Sequence, residues 1–257
     1  MTAAEARRRA TTAARRIEHP EAVVLAVVLT GLAAYGWVAT PFWMAIAIAA
    51  ELAIGGLGSV WVIGPVRARY GFARYATFAV AAVSITLVGR LLTPMARLAA
   101  APVAVLFLFG ALWFELRYPQ GRAPRLGIDL ILVGSVFAAA AGVDAAFPGA
   151  AWPSSVLLVV VLAAVPALRA AELRGRYGVT AVGQAALHLL AVAQVGASLA
   201  LLHLQGVVAP AVLALGFHAW AGAAEALESG ARTRAVVVEF GSLALLGLLV
   251  ALLLRPA

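Results

Sequence analysis

Five side chains able to hold a proton or a charge are written into long apolar runs: Glu51, His188, His218, Glu225 and Glu239. At the centre of a membrane helix an ionisable group costs about 2.5–3.5 kcal/mol on insertion scales, so it persists where it faces protein or water. Glu51, in "PFWMAIAIAAELAIGGLGSVWVIG" (41–64), is the deepest. It lies about ten residues from either end of its run, which is mid-slab at ~1.5 Å per residue. Burial disfavours a carboxylate, so a lone acid there is expected to keep its proton unless a cation sits beside it.

His188 and His218 fall at corresponding depths of two neighbouring apolar runs, level with Glu51, and Gln184 stands one turn from His188. In "GFHAWAGAAEALESG" (216–230), His218 and Glu225 are seven residues apart and share a helix face, with Trp220 pointing elsewhere. Glu239 in the next run is placed to join them. The expected site is therefore Glu51, His188 and His218 at the midplane, with Gln184 beside them and Glu225 and Glu239 leading to one surface. Imidazole and a desolvated acid both titrate near neutral pH, so such a chain suits proton relay or cation binding. The plainer alternative is that each group is satisfied locally, as glue between helices. Arg90 and Asp144, each near the end of its run, are expected to form a structural ion pair. Glu115 and Asp129 are expected to pair with Arg117, Arg122 or Arg125.

The elements that position these groups follow from composition. Only 12% of the 257 residues are charged and 64% are hydrophobic, whereas soluble domains carry about 25% charged residues. The fold class is all-α, a polytopic integral membrane protein. About nine transmembrane helices are expected in antiparallel hairpins, over 21–39, 41–63, 75–94, 99–117, 126–147, 153–172, 178–204, 208–228 and 233–254. Residues 1–19 read as a basic arm on the cytoplasmic face, and 20–257 as a single transmembrane domain. Pro20, Pro41 and Pro153 suit helix starts, where a missing N–H costs nothing.

All 19 basic residues are arginine. With the N-terminus inside, 16 of them fall on the cytoplasmic side and Arg90, Arg97 and Arg255 on the other, as the positive-inside rule requires. The net charge of +8 is thus expected to set topology and to attract anionic lipid, and nucleic acid is not an expected partner. A homo-oligomer or a larger membrane complex is compatible with the sequence. The expected location is a prokaryotic plasma membrane.

Absences exclude chemistry. Without lysine there is no Schiff base to retinal or pyridoxal phosphate and no phosphate-loop lysine; without cysteine there is no disulfide or thiolate metal site. The glycines of "IGGLGS" (54–59) read as close helix packing. His188, His203 and His218 recur every 15 residues, but His203 belongs near the outer surface, so neither haem nor metal nor any other cofactor is expected. Three basic turns, "ELRYPQGRAPRLGID", "ELRGRYGVTAVGQ" and "ESGARTRAVVVE", echo one another. They read as duplicated hairpins or as arginine loops in need of carboxylates. The function expected is a small permease or channel, proton-linked, lost in Glu51→Gln. The alternatives are an accessory or scaffold subunit of a membrane complex, and an intramembrane enzyme acting on a lipid or isoprenoid.

Overall fold

The computed structural model describes residues 19–64, 71–118, 121–147, 149–202, 204 and 206–253. Residues 1–18 of the basic arm, Arg67, Arg69, His203 and Arg255 lie outside the described residues. Those described form nine α-helices and no strand: α1 (Pro20–Val38), α2 (Pro41–Ile63), α3 (Ala73–Gly89), α4 (Pro94–Arg117), α5 (Arg122–Ala146), α6 (Trp152–Leu173), α7 (Val179–Leu202), α8 (Val208–Glu228) and α9 (Thr233–Leu253). Seven of them are long and apolar enough to cross a membrane. Of the others, α3 is shorter, and α8 is long but carries His218, Glu225 and Glu228.

Proline opens helices as expected at Pro20 and Pro41, and Trp152 directly precedes Pro153 at the start of α6. The start that differs most from the expectation is that of α4. Residues 95–98 are not a join, because α4 begins at Pro94, and the Thr93 hydroxyl accepts the Ala96 N–H at 3.4 Å as its cap. Arg97 is therefore inside a helix, where its Nε donates to the Gly89 carbonyl at 3.3 Å.

Every helix packs on its neighbour in sequence, and α3 sits at the centre, against α1, α2, α4, α5 and α6. Its sequence, "ARYATFAVAAVSITLVG", is mostly small residues, which lets helix backbones approach where lipid offers no hydrophobic drive for association. The seam with α5 is closest at Gly142, where an added Cβ would lie 2.3 Å from the Leu87 carbonyl carbon. Gly55 of the glycine-rich run meets Ala79 in the same way, at 2.9 Å, so that motif is helix packing.

Two cores result. One, around Leu29, Trp37, Phe78 and Leu108, belongs to α1–α4; the other, around Ile128, Leu132, Ala167 and Phe217, belongs mainly to α5–α8. Contacts among Arg74, Glu115, Arg125, Arg169, Arg176, Glu172, Glu225 and Glu228 gather the charged helix termini at one end of the bundle, called here the basic end. The opposite, far end holds Arg90, whose Nη1 donates to the Gly36 and Ala39 carbonyls at 3.0 and 2.9 Å.

Candidate functional site

Glu51 is fully buried on α2, and its Oε1 accepts the Thr86 hydroxyl of α3 at 2.5 Å. Its Oε2 has no hydrogen-bond partner among the described residues. The helices packed extensively on α2 are α1 and α3, with a slight contact to α4, whereas His188 stands on α7, which packs on α6 and α8. The acid and the two imidazoles therefore lie in different halves of the bundle, and the expected midplane cluster is not assembled. Similar depth put them on one level, but lateral position in the bundle separates them.

The histidines do share a level with each other. His188 Nε2 lies 3.0 Å from the carbonyl of Phe217, the residue before His218, and its ring stacks on Phe217 at 4.2 Å. His188 is fully buried, while His218 is exposed and lines a separate polar cavity. Gln184 does not bond to His188. Its amide donates to Glu228, and its carbonyl accepts from Arg174 at 3.4 Å. Glu225 pairs with Arg125 at 2.6 Å. Glu239 is exposed on α9, and its carboxylate has no partner among the described residues, so it does not extend the stripe. Arg90 and Asp144 do not pair either: the arginine holds the end of α1, and Asp144 lies exposed at the rim of a cavity.

Glu115 also departs from expectation, because its partners are not Arg117, Arg122 or Arg125. Arg169 grips it from α6, with Nε to Oε1 at 2.7 Å and Nη2 to Oε2 at 2.6 Å, and Arg74 lies 3.8 Å away. Arg169 Nη1 also donates to Glu172 at 3.2 Å, and the Tyr118 ring lies 5.1 Å from its guanidinium. Glu172 in turn caps α3, accepting the Phe72 and Ala73 N–H groups at 2.7 and 3.0 Å. This buried knot joins α3, α4 and α6. A signal for it existed: "ELR" occurs at 115 and at 172, and both glutamates converge on Arg169, near the end of the span expected over 153–172.

Cavities concentrate in α5–α8. At the basic end, an open mouth of about 550 Å³ between Tyr118, Arg176 and Ser229 narrows, past Arg125, Arg174 and Glu225, to a floor of about 60 Å³. Asp129, His218 and Phe217 line that floor. Asp129 has Arg125 as its leading charged neighbour, one turn before it on α5, and the i, i+4 spacing in "RLGID" is the sequence sign of this. Three arginines (Arg125, Arg174 and Arg176) and three carboxylates (Asp129, Glu225 and Glu228) balance around the funnel. Burial pulls Arg174 below the ordinary arginine value, opposed by Glu228 and Glu225.

The far end holds a second cavity of about 260 Å³ between α5, α6, α7 and α8, with Asp144, Trp152 and Ser155 near its mouth and Val159, Val192 and Leu213 deeper. Along α8, Leu213 lines this cavity and Phe217 lines the funnel. Four residues of helix, about 6 Å, separate them. At this level Phe217 and the His188 ring stacked on it are both buried. A third cavity, about 210 Å³, lies between α7, α8 and α9 and is lined by apolar residues including Gly216, Trp220 and Phe240. Glu51 lines none of these cavities. No group of three or more metal-ligating side chains occurs among the described residues.

Comparison with known proteins finds no matching family model, no matching curated protein and no matching solved structure.

Proposed function

We propose that the chain is a small proton-linked permease of a prokaryotic plasma membrane, with nine spans, the N-terminus and the basic end in the cytoplasm, and its route through α5–α8. One observation carries the reading: a polar funnel and a far-end cavity lie end to end, separated along α8 by about one helical turn. Transporters alternate exposure of a central site by rocking one helical unit against another, and a thin partition between two vestibules suits that. In this reading His218 and Asp129 exchange protons at the funnel floor, and the His188–Phe217 stack is the partition. The first half, knit by small residues and by the Arg169 knot, is the frame. Anionic lipid is the partner of the arginine-rich face.

The chain has no cysteine, so single cysteines can be placed in an otherwise silent background. Ala221→Cys lies in the funnel and Ala200→Cys in the far-end cavity. In oriented vesicles a membrane-impermeant maleimide is expected to label the first only from the cytoplasmic side and the second only from the other. Labelling of both from one side, or of neither, overturns the route.

A second reading, an accessory subunit of a larger membrane complex, draws on α9. This helix packs extensively only on α8 and leaves Glu239 exposed. The intramembrane enzyme draws less support, because neither His188 nor His218 lines the lateral apolar cavity.

A further inference from the structure

We infer that the far-end cavity binds a compact organic ammonium ion, with Asp144 and Trp152 as its recognition pair. The assignment rests on the proposed route, of which this cavity is the outer vestibule, and it names the class of solute carried.

Charge selects the sign. Among the described residues that line the cavity, Asp144 is the one formal charge, and no arginine accompanies it. Its carboxylate has no hydrogen bond or ion pair among the described residues, so it is free to take a cation. Four helix ends meet here. The last turns of α5 and α7 present negative dipole ends, and the first turns of α6 and α8 present positive ones. These cancel to first order, which leaves Asp144 to decide.

Shape and polarity select the body. Val159, Val192 and Leu213 make a buried aliphatic floor, which offers nothing to a bare inorganic ion or a polyol but accepts a hydrocarbon group. The Trp152 indole at the rim is the aromatic surface that best attracts an ammonium head. A volume of 260 Å³ equals that of about nine waters, which admits a molecule of a similar number of heavy atoms.

The test is binding by the purified full-length protein in nanodiscs, measured by calorimetry with three probes of one shape: 2-phenylethylammonium, 2-phenylethanol and phenylacetate. The ammonium is expected to bind at least tenfold more tightly than the alcohol, and phenylacetate more weakly than either. Asp144→Asn is expected to abolish the preference for the ammonium while keeping the alcohol's affinity, and Trp152→Leu to weaken the ammonium several-fold. Asp144 is exposed, so the Asn variant should fold, and unchanged alcohol binding verifies that. Equal binding of ammonium and alcohol, strongest binding of phenylacetate, or no binding of any probe overturns the assignment. Because no transport is measured, these outcomes are distinct from failure of the route: sided cysteine labelling without ammonium preference sinks the ligand class alone.

Discussion

Arg169 and Glu115 meet through two parallel hydrogen bonds of 2.7 and 2.6 Å, with neither side chain more than slightly exposed. This buried fork ties α4 to α6, and Arg74 and Glu172 complete a knot of two cations and two anions.

Breaking that fork should be severe. Arg169→Met leaves two buried carboxylates short of their counter-charge, and removal of one partner from a buried pair costs about 3–5 kcal/mol. Arg169→Lys should recover only part of this, since an ammonium cannot reproduce the two-pronged geometry. By contrast, Glu225→Gln breaks a half-exposed pair with Arg125 and should cost at most about 1 kcal/mol. Thermal unfolding in detergent measures all three, and equal losses for Arg169→Met and Glu225→Gln would contradict the description.

Glu51 should prove separable from transport. Its neutral isostere in Glu51→Gln still accepts the Thr86 hydroxyl through a carbonyl oxygen, so stability should change by no more than about 1 kcal/mol. With the route in α5–α8, the sided labelling of Ala221→Cys and Ala200→Cys should also persist in that background. Loss of either pattern would return the acid to the working site, as the sequence alone had suggested.

Close packing at α3–α5 should be intolerant of a single methyl group. Gly142→Ala places a carbon 2.3 Å from the Leu87 backbone and should cost about 1–3 kcal/mol. Gly183→Ala on α7 meets nothing within 4 Å, so it should leave stability unchanged or raise it. Unfolding temperatures of the two variants, compared side by side, check the seam.

The contrast between what could be read from the chain and what could not is clearest at particular residues. Pro20, Pro41 and the apolar lengths between turns located most helices, because proline and burial act locally. Thr93–Pro94 carries the same local signal, and α4 starts there, five residues before the expected 99. His188 and His218 were rightly placed at one level, since depth follows from counting along each helix. Their separation from Glu51 was not legible, because rise per residue fixes height and says nothing about which helix stands beside which.

By itself, then, the order of residues decided the all-helical character and apolar length of the elements, which depend on each segment's own hydrogen bonding and solvent preference. The tertiary arrangement decided that Glu115 and Glu172 share Arg169, that Thr86 faces Glu51, and that the funnel and the far-end cavity open among α5–α8. Those relations arise from side-by-side packing of helices far apart in the chain. There, small residues such as Gly55 and Gly142 select neighbours through close contact, a property no periodicity records.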